Sequence, residues 1–521
     1  MGTLDRPLTE PLADWLPRQR WFAGKDRPID EVTVTSATEL ATVDEPGGPV
    51  LEHVVAEVRQ GDVTDRYQLL IGIRTGDLPE RVRAGQIYES PEATHLYEAV
   101  HDPGLTRVLL EGMANEATIG PLRFRRAPGA EIDSGLTGIP VSVEQTNTSV
   151  IFGESYICKL FRRLSPGVDP DLEVSLALTE AGSTHVAPVH GWIELVEDGA
   201  GHEPVTLALL SEYLRTGTDG WQLAITSVRD WLASPDTDGQ GRYPGGGPDS
   251  GVAPGPAATR GPVPGPPGTR RPSFEEEAAK AEAAEEPEPE LDAGAAGGDF
   301  AAEAERLGAA TAAVHRDLAV AFGVTMAPPE DVREMVAAMH RQLAEVCRTV
   351  PELERYAGPI GRAFDELAES AGEVPLQRVH GDYHLGQVMR TEKGWVLLDF
   401  EGEPARPYDE RRAVANPLRD VAGMLRSFEY AARFLPAADA SLSPETAHTL
   451  ELRARAWADR NRDAFCRGYA EAGGADPAAN TVLVRALELD KAVYEIRYEA
   501  QNRPSWLPVP LRSLAHLAPE D

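Results

Sequence analysis

The sequence predicts an α+β protein, rich in β structure up to residue 215 and mainly helical from residue 299 onward. Three observations carry this. Runs of β-branched residues punctuated by Gly, Pro and Asp recur before residue 215. Apolar residues at three- and four-residue spacing dominate after residue 299. Between these regions lies a stretch nearly devoid of large apolar side chains. At about 100–200 residues per domain, a chain of 521 residues holds two to four domains or subdomains.

Residues 1–92 form a first predicted subdomain. It opens with the Trp-rich segment Trp15 to Lys25 and continues in strand-like runs at Val32–Val34, Leu51–Val58 and Tyr67–Ile73. Residues 93–215 form a second, with a short helix predicted over Ala93–Val100 and a helical pattern over Leu172–Ala181. Its strands are expected at Ile139–Glu144, Thr148–Phe152, Ser155–Phe161 and Val205–Tyr213. Residues 216–521 form the third. Helices are expected there at Phe300–Ala321, Pro329–Val350, Glu352–Ser370, Thr446–Ala472 and Thr481–Asn502, interrupted over Leu376–Glu403 by a loop and hairpin with a buried strand at Trp395–Leu398.

Residues 235–298 read as a disordered insertion. They are dominated by Pro, Gly, Ala and Glu, and cannot bury enough apolar surface to offset the entropy of ordering. The net charge of −34 argues against a nucleic-acid or anionic-membrane partner. Three widely spaced cysteines imply neither a disulfide framework nor a zinc site. With no signal segment and no long apolar run, a cytoplasmic protein is expected. Only five lysines occur (25, 159, 280, 393 and 491), so a lysine at a motif position is informative.

The most informative stretch runs from Arg378 to Met389 and on to Pro404. Phosphoryl transfer to a hydroxyl needs a carboxylate aimed at the acceptor proton and oxygen ligands for Mg²⁺ beside the phosphates. Kinase-type sites place the base Asp first, an amide ligand five residues later, and a second Asp after a short strand. Here Asp382 is followed by Gln387 at that spacing and by Asp399 after an apolar strand, with Glu401 a further candidate metal ligand. Hard Mg²⁺ accepts carboxylate and amide oxygens. Gly381 permits a tight turn before Asp382.

This segment, HGDYHLGQVM…VLLDFEGEP, resembles the aminoglycoside phosphotransferase and choline-kinase-like superfamily, and in detail the actinobacterial maltokinases, which carry Gln where the wider superfamily has Asn. The opening RQRWFAGK and the ending DKAVYEIRYEAQNRPSWLPVPL are similar to the maltokinase cap and C-terminus. The resemblance implies a bilobal, eukaryotic-kinase-like fold with an added N-terminal cap. It implies ATP and Mg²⁺, and transfer of the γ-phosphate to the anomeric hydroxyl of maltose. Maltose 1-phosphate would serve α-glucan (glycogen) synthesis, often linked with trehalose synthase.

The resemblance makes Lys159 the strand lysine that contacts the nucleotide phosphates, with Glu173 as its expected partner. Thr148 and Ser149 border a polar loop whose backbone N–H groups suit phosphates. The segment from Glu212 to Leu214 resembles an adenine-binding hinge. Sugar sites combine aromatic faces with a few fixed polar groups. Lys491, Glu495 and Tyr498 share a helical face and are assigned to the acceptor, against the alternative of a solvated ion pair. Asp420 is either a helix cap or an acceptor contact. A kinase for an amino sugar such as glucosamine is the close rival reading, and an aminoglycoside phosphotransferase a weaker one. A non-catalytic pseudokinase scaffold is opposed by the intact Lys159, Asp382, Gln387 and Asp399.

Overall fold

The computed structural model describes residues 8–43, 48–141, 146–197, 203–234, 299–403, 406, 408–438 and 442–518. The predicted disordered insertion at 235–298 and most of the polar loop at 142–147 lie outside the described residues. The chain folds as two compact units, Met1–Thr216 and Gly217–Asp521. Its mixture of helix and sheet is the predicted α+β class.

The first unit contains two antiparallel sheets. One runs Glu31–Thr42, Val50–Gln60, Val63–Thr75, Thr94–Glu98, Gln86–Glu89, with Arg163–Leu164 paired to its third strand. The other runs Thr118–Ile119, Leu122–Arg126, Val189–Leu195, Val205–Glu212, Tyr156–Leu160, Thr148–Phe152, Gly138–Val141. A shared core lies between them. Leu51, Val55 and Leu70 from the first sheet meet Phe124, Phe152, Cys158 and Leu160 from the second, together with Leu105, Leu109 and Met113 of the Pro103–Ala114 helix. The Trp-rich opening covers the opposite face of the first sheet, where Trp15, Trp21 and Phe22 pack with Val54, Tyr67 and Ile71. Both sheet faces are therefore covered, which explains why Val50–Gln60 is buried along nearly its whole length, Glu52 and His53 included.

One predicted element differs. The helix expected over Ala93–Val100 is instead the strand Thr94–Glu98 followed by a 3₁₀ turn, Ala99–His101. Pairing with Val63–Thr75 decides this, because Tyr97 packs directly over Gly72, where a Cβ would come within 2.4 Å of the ring. The helix begins later. Asp102 caps it by accepting from Gly104 N at 3.1 Å, and Pro103 occupies the first turn.

In the second unit the helices Ala301–Phe322, Pro329–Thr349, Glu354–Glu369, Pro444–Glu471 and Thr481–Asn502 lie within two residues of their predicted bounds. The helices Gly220–Ala233 and Leu418–Ala438 were not expected. Ala301–Phe322 and Pro444–Glu471 pack almost backbone to backbone. A Cβ on Gly308 would stand 2.1 Å from Phe465 O, and one on Gly468 would stand 2.0 Å from Glu305 O. The hairpin Val388–Thr391/Gly394–Leu397, extended by Thr218–Asp219, sits against the Ala301–Phe322 helix through Trp395, whose indole N–H donates to Glu303 O at 3.1 Å. This rigid helical frame positions the loop from His380 to Gln387. Among the described residues no helix is long and apolar enough to cross a membrane.

Candidate active site

The loop carrying Asp382 is held by its backbone. Asp420, buried in the first turn of the Leu418–Ala438 helix, accepts from His380 N at 2.7 Å and Gly381 N at 2.9 Å. His315 Nε2 bonds the same carboxylate at 3.0 Å, and His315 Nδ1 contacts the Tyr469 hydroxyl at 2.9 Å. Burial pushes the Asp420 carboxyl up, but these hydrogen bonds and the neighbouring His315 outweigh it and hold it below the usual range. One turn on, Gly423 lets the helix approach Tyr383 O, which a Cβ would meet at 2.7 Å. The Tyr383 hydroxyl pairs with Thr311 Oγ1 at 2.7 Å, and Leu385 N donates to Ser427 Oγ at 3.0 Å. Gly381 has φ +85°, the left-handed conformation its sequence position suggested.

Asp382, so presented, faces Lys491. The Lys491 ammonium donates to Asp382 Oδ1 at 3.3 Å and to both Glu403 oxygens at 3.3 Å. It also lies 4.8 Å from the Tyr494 ring centroid. Burial opposes ionisation of both partners, yet their mutual attraction prevails. Asp382 is held below the ordinary carboxylate value by Lys491, with His384 and His380 assisting. Lys491 is raised above the ordinary lysine value by Glu403 and Asp382. His384 Nε2 stands 3.9 Å from Asp382 Oδ2, and its Nδ1 accepts from Gly386 N at 3.0 Å.

Gln387 and Asp399 come together, as their spacing suggested: Gln387 Nε2 donates to Asp399 Oδ2 at 3.0 Å. The hairpin brings this about, with Val388 paired to Leu397 and Leu398 N donating to Gln387 O at 2.9 Å. Asp399 adopts φ +64°, an uncommon conformation for a residue with a Cβ, and His380 fixes the strand end by bonding Leu398 O at 2.8 Å and lying over Phe400. Ligand oxygens of Asp399 and Glu401 lie within 4.8 Å of each other. Two carboxylates and an amide form an all-oxygen donor set once the Gln387 amide presents its carbonyl, which suits a hard divalent cation.

In the first unit, Lys159 lies on the Tyr156–Leu160 strand, whose alternation sends Cys158 into the core and leaves Lys159 partly exposed. Ser149 is its cross-strand neighbour. Lys159 donates to Asp171 Oδ2 at 2.8 Å, on the same helix as Glu173, the partner expected from sequence. Asp171 is buried in the first turn of the Pro170–Glu180 helix, which also carries Glu173. The Thr148 hydroxyl accepts from Arg162 Nε at 2.8 Å, a structural engagement. At the hinge, Glu212 N donates to Pro188 O and Tyr213 N to Ser155 O, both at 2.9 Å, so those two N–H groups serve the fold. No bond involving Leu214 accompanies them among the described contacts.

Two expected acceptor residues are engaged by the fold. Asp420 borders the cavity beside Asp382, but both its oxygens hold the loop. Glu495 pairs with buried Arg426 chiefly through one carboxylate oxygen, Nη2 to Oε2 at 2.6 Å and Nε to Oε2 at 3.2 Å, instead of meeting Lys491 directly. A guanidinium buried by the core must find a carboxylate, and Glu495 is on the side of the helix that faces it. Tyr498 stacks on Tyr494, with centroids 6.3 Å apart. The cavity is open to solvent; Glu403, Arg406, Arg419, Asp490, Lys491 and Tyr494 line it with the loop. Glu403, Tyr494 and Asp171 were missed by sequence reasoning. The third acid of the Asp399–Glu403 run was the available signal for Glu403.

A profile of the maltokinase N-terminal cap domain matches residues 15–102, and the phosphotransferase enzyme family matches residues 278–472. Together the two matches support a maltokinase-like protein of the aminoglycoside phosphotransferase family. Similar proteins include a glucosamine kinase from Streptacidiphilus jiangxiensis, 28% identical over 404 residues and covering 75% of each chain. Another is a glucosamine kinase from Mycolicibacterium smegmatis, 27% identical over 391 residues, 73% of this chain and 79% of the relative. In fold, the maltokinase-like chain is similar to a solved glucosamine kinase in complex with glucosamine, ADP and inorganic phosphate. The TM-score is 0.58 at 23% identity, covering 99% and 100% of the two chains. A second crystal form of a glucosamine kinase gives a TM-score of 0.61 at 23% identity, with 98% and 99% covered. The match over residues 278–472 makes the chain a phosphotransferase.

Proposed function

We propose that this enzyme transfers the γ-phosphoryl group of ATP to the anomeric hydroxyl of a neutral sugar, with maltose as the favoured acceptor and maltose 1-phosphate as the product. One observation carries the choice of acceptor: the ammonium of Lys491 already occupies the carboxylate pair Asp382 and Glu403. A neutral hydroxyl can donate to Asp382 while Lys491 stays in place. A protonated amino sugar would bring a second cation to the same carboxylates. The glucosamine kinases among its relatives make glucosamine the second reading. A role in α-glucan synthesis, and pairing with a trehalose synthase in a cytoplasmic setting, rest on the maltokinase resemblance alone.

In this reading Asp382, kept ionised, orients the acceptor hydroxyl and receives its proton as the bond to phosphorus forms. Lys159, held by Asp171, offsets phosphate charge, beside Thr148 and Ser149. Glu173 lies on the same helix, and the Glu212–Leu214 segment presents backbone groups to the adenine. Gln387, Asp399 and Glu401 would hold Mg²⁺, which supplies charge neutralisation at the phosphates. Tyr494 and Tyr498 give an aromatic wall for a sugar face. Rate acceleration comes from positioning and preorganised charge, without a covalent intermediate.

The decisive experiment incubates the full chain with ATP and Mg²⁺ against maltose, glucosamine, glucose and an aminoglycoside, and locates the new phosphate by ³¹P and ¹H NMR. Phosphate on the anomeric carbon of maltose is expected. Phosphorylation of glucosamine with maltose inert would replace this reading with the second.

A further inference from the structure

We propose that Lys491 is the specificity switch of the acceptor pocket: its ammonium stands where the cationic group of an amino sugar would otherwise bind, so removing it redirects the enzyme from a neutral to a cationic acceptor. The inference rests on the acceptor reading given above and goes on to assign discrimination to one residue.

The geometry is that of a bound ammonium ligand. Three carboxylate oxygens from two residues converge on one nitrogen at 3.3 Å each, and an aromatic face lies 4.8 Å away. Carboxylates with an aromatic ring are the chemistry that recognises a protonated amine. Glu403 is 4% exposed, so without Lys491 its buried charge would lose the ammonium that contacts both its oxygens. Lys491 itself is tethered from the Thr481–Asn502 helix, whose core side is fixed by Val493 and Ile496, both nearly inaccessible. The cation therefore comes from the rigid frame and not from the substrate.

The wider cavity agrees. Its charged lining is balanced, with Arg406, Arg419 and Lys491 set against Glu403, Asp420 and Asp490. A protonated acceptor entering this pocket meets Lys491 at close range. Deleting Lys491 tips the lining to the acidic side and frees the two carboxylates nearest the reacting hydroxyl. Specificity is then enforced by a like charge placed against the wrong substrate, as well as by contacts to the right one.

The test measures kcat/KM for maltose and for glucosamine in the wild-type enzyme, Lys491→Met, Lys491→Gln and Glu403→Gln, with product phosphates located by NMR and folding checked by thermal unfolding. Lys491→Gln covers the case in which Lys491→Met fails to fold. In the folded Lys491 variant, kcat/KM should fall for maltose and rise for glucosamine by about tenfold each, shifting the ratio by about a hundredfold. Methylammonium added to that variant should restore part of its maltose turnover and leave the wild type unchanged. Glu403→Gln, which keeps the lysine, should gain no glucosamine activity. Wild-type maltose activity with an unchanged acceptor ratio in both Lys491 variants overturns the switch and leaves the acceptor reading standing. A wild type that does not phosphorylate maltose overturns the reading itself, and the switch with it.

Discussion

Lys159 and Lys491 are two of only five lysines in the chain, and each is set in a largely apolar element against carboxylates, yet they are held differently. Lys159, on a strand of the first unit, makes a short 2.8 Å contact with Asp171, a residue given no direct part in the chemistry. Lys491, on a helix of the second unit, makes three longer 3.3 Å contacts shared between Glu403 and Asp382, the acceptor-activating residue itself. Each ammonium also lies near an aromatic ring, at 5.5 Å from Phe161 and 4.8 Å from Tyr494. The same residue type thus does two jobs. A short pair with a bystander fixes a charge in place, whereas a shared pair ties the charge to the state of the reacting carboxylate.

The sharpest way to separate these jobs is Asp382→Asn. It removes the reacting carboxylate and one of the Lys491 partners while leaving the first unit untouched. Turnover should fall by about a thousandfold or more, within the range for a lost general base, while nucleotide affinity stays within about twofold. Isothermal titration with a non-hydrolysable ATP analogue and steady-state kinetics would check both halves. Unchanged turnover would remove Asp382 from the mechanism and make its pair with Lys491 purely structural.

A second, smaller effect is expected at the other lysine. Lys159→Met should lower kcat/KM for ATP by about a hundredfold, roughly 3 kcal/mol, with little change in the KM for sugar. Kinetics varying each substrate in turn would show it. If the sugar KM moved instead, the division of labour between the two lysines would be wrong. Its partner provides a finer test: Asp171→Asn should cost about tenfold in kcat/KM for ATP, because Lys159 loses a short charged contact. Glu173→Gln should cost less. The reverse order would make Glu173 the more important of the two acids.

Much of this arrangement was legible in the sequence because it is local. The spacing from Asp382 to Gln387 and the apolar run before Asp399 fix a loop and hairpin, and the hairpin register delivers Gln387 to Asp399. Helix periodicity likewise gave the frame of the second unit to within two residues. What was not legible depends on contacts between distant segments. Helical spacing put Lys491 and Glu495 on one face, but the choice of partners was made by Arg426 at one and by Asp382 and Glu403 at the other. Asp420 looked like a cap or a ligand, and only the fold shows it gripping two N–H groups of a loop some forty residues earlier in the chain. The strand Thr94–Glu98 was read as helix because its pairing with Val63–Thr75, and the Gly72 that admits Tyr97, are invisible to a local pattern.

The subtlest prediction concerns pH and bears directly on the shared pair. Asp382 acts ionised, and its folded value lies below the ordinary one, so activity is lost only as pH falls through that depressed value. Lys491 is raised, so its charge persists until pH rises through a value above the ordinary lysine range. The stability contributed by the pair follows the same signs. The Asp382 part is complete above the unfolded carboxylate value and lost towards acid, and the Lys491 part is complete below the unfolded lysine value and lost towards alkali. The enzyme should therefore show a level kcat/KM for sugar between about pH 5 and 9 with respect to these two groups. In Lys491→Met the largest force holding Asp382 down disappears while its burial remains. The acid limb should then move to higher pH by about one unit or more. An acid limb that stays where it was would show that Lys491 does not set the charge state of Asp382. The difference between the two lysines would then reduce to one of position, without a difference in job.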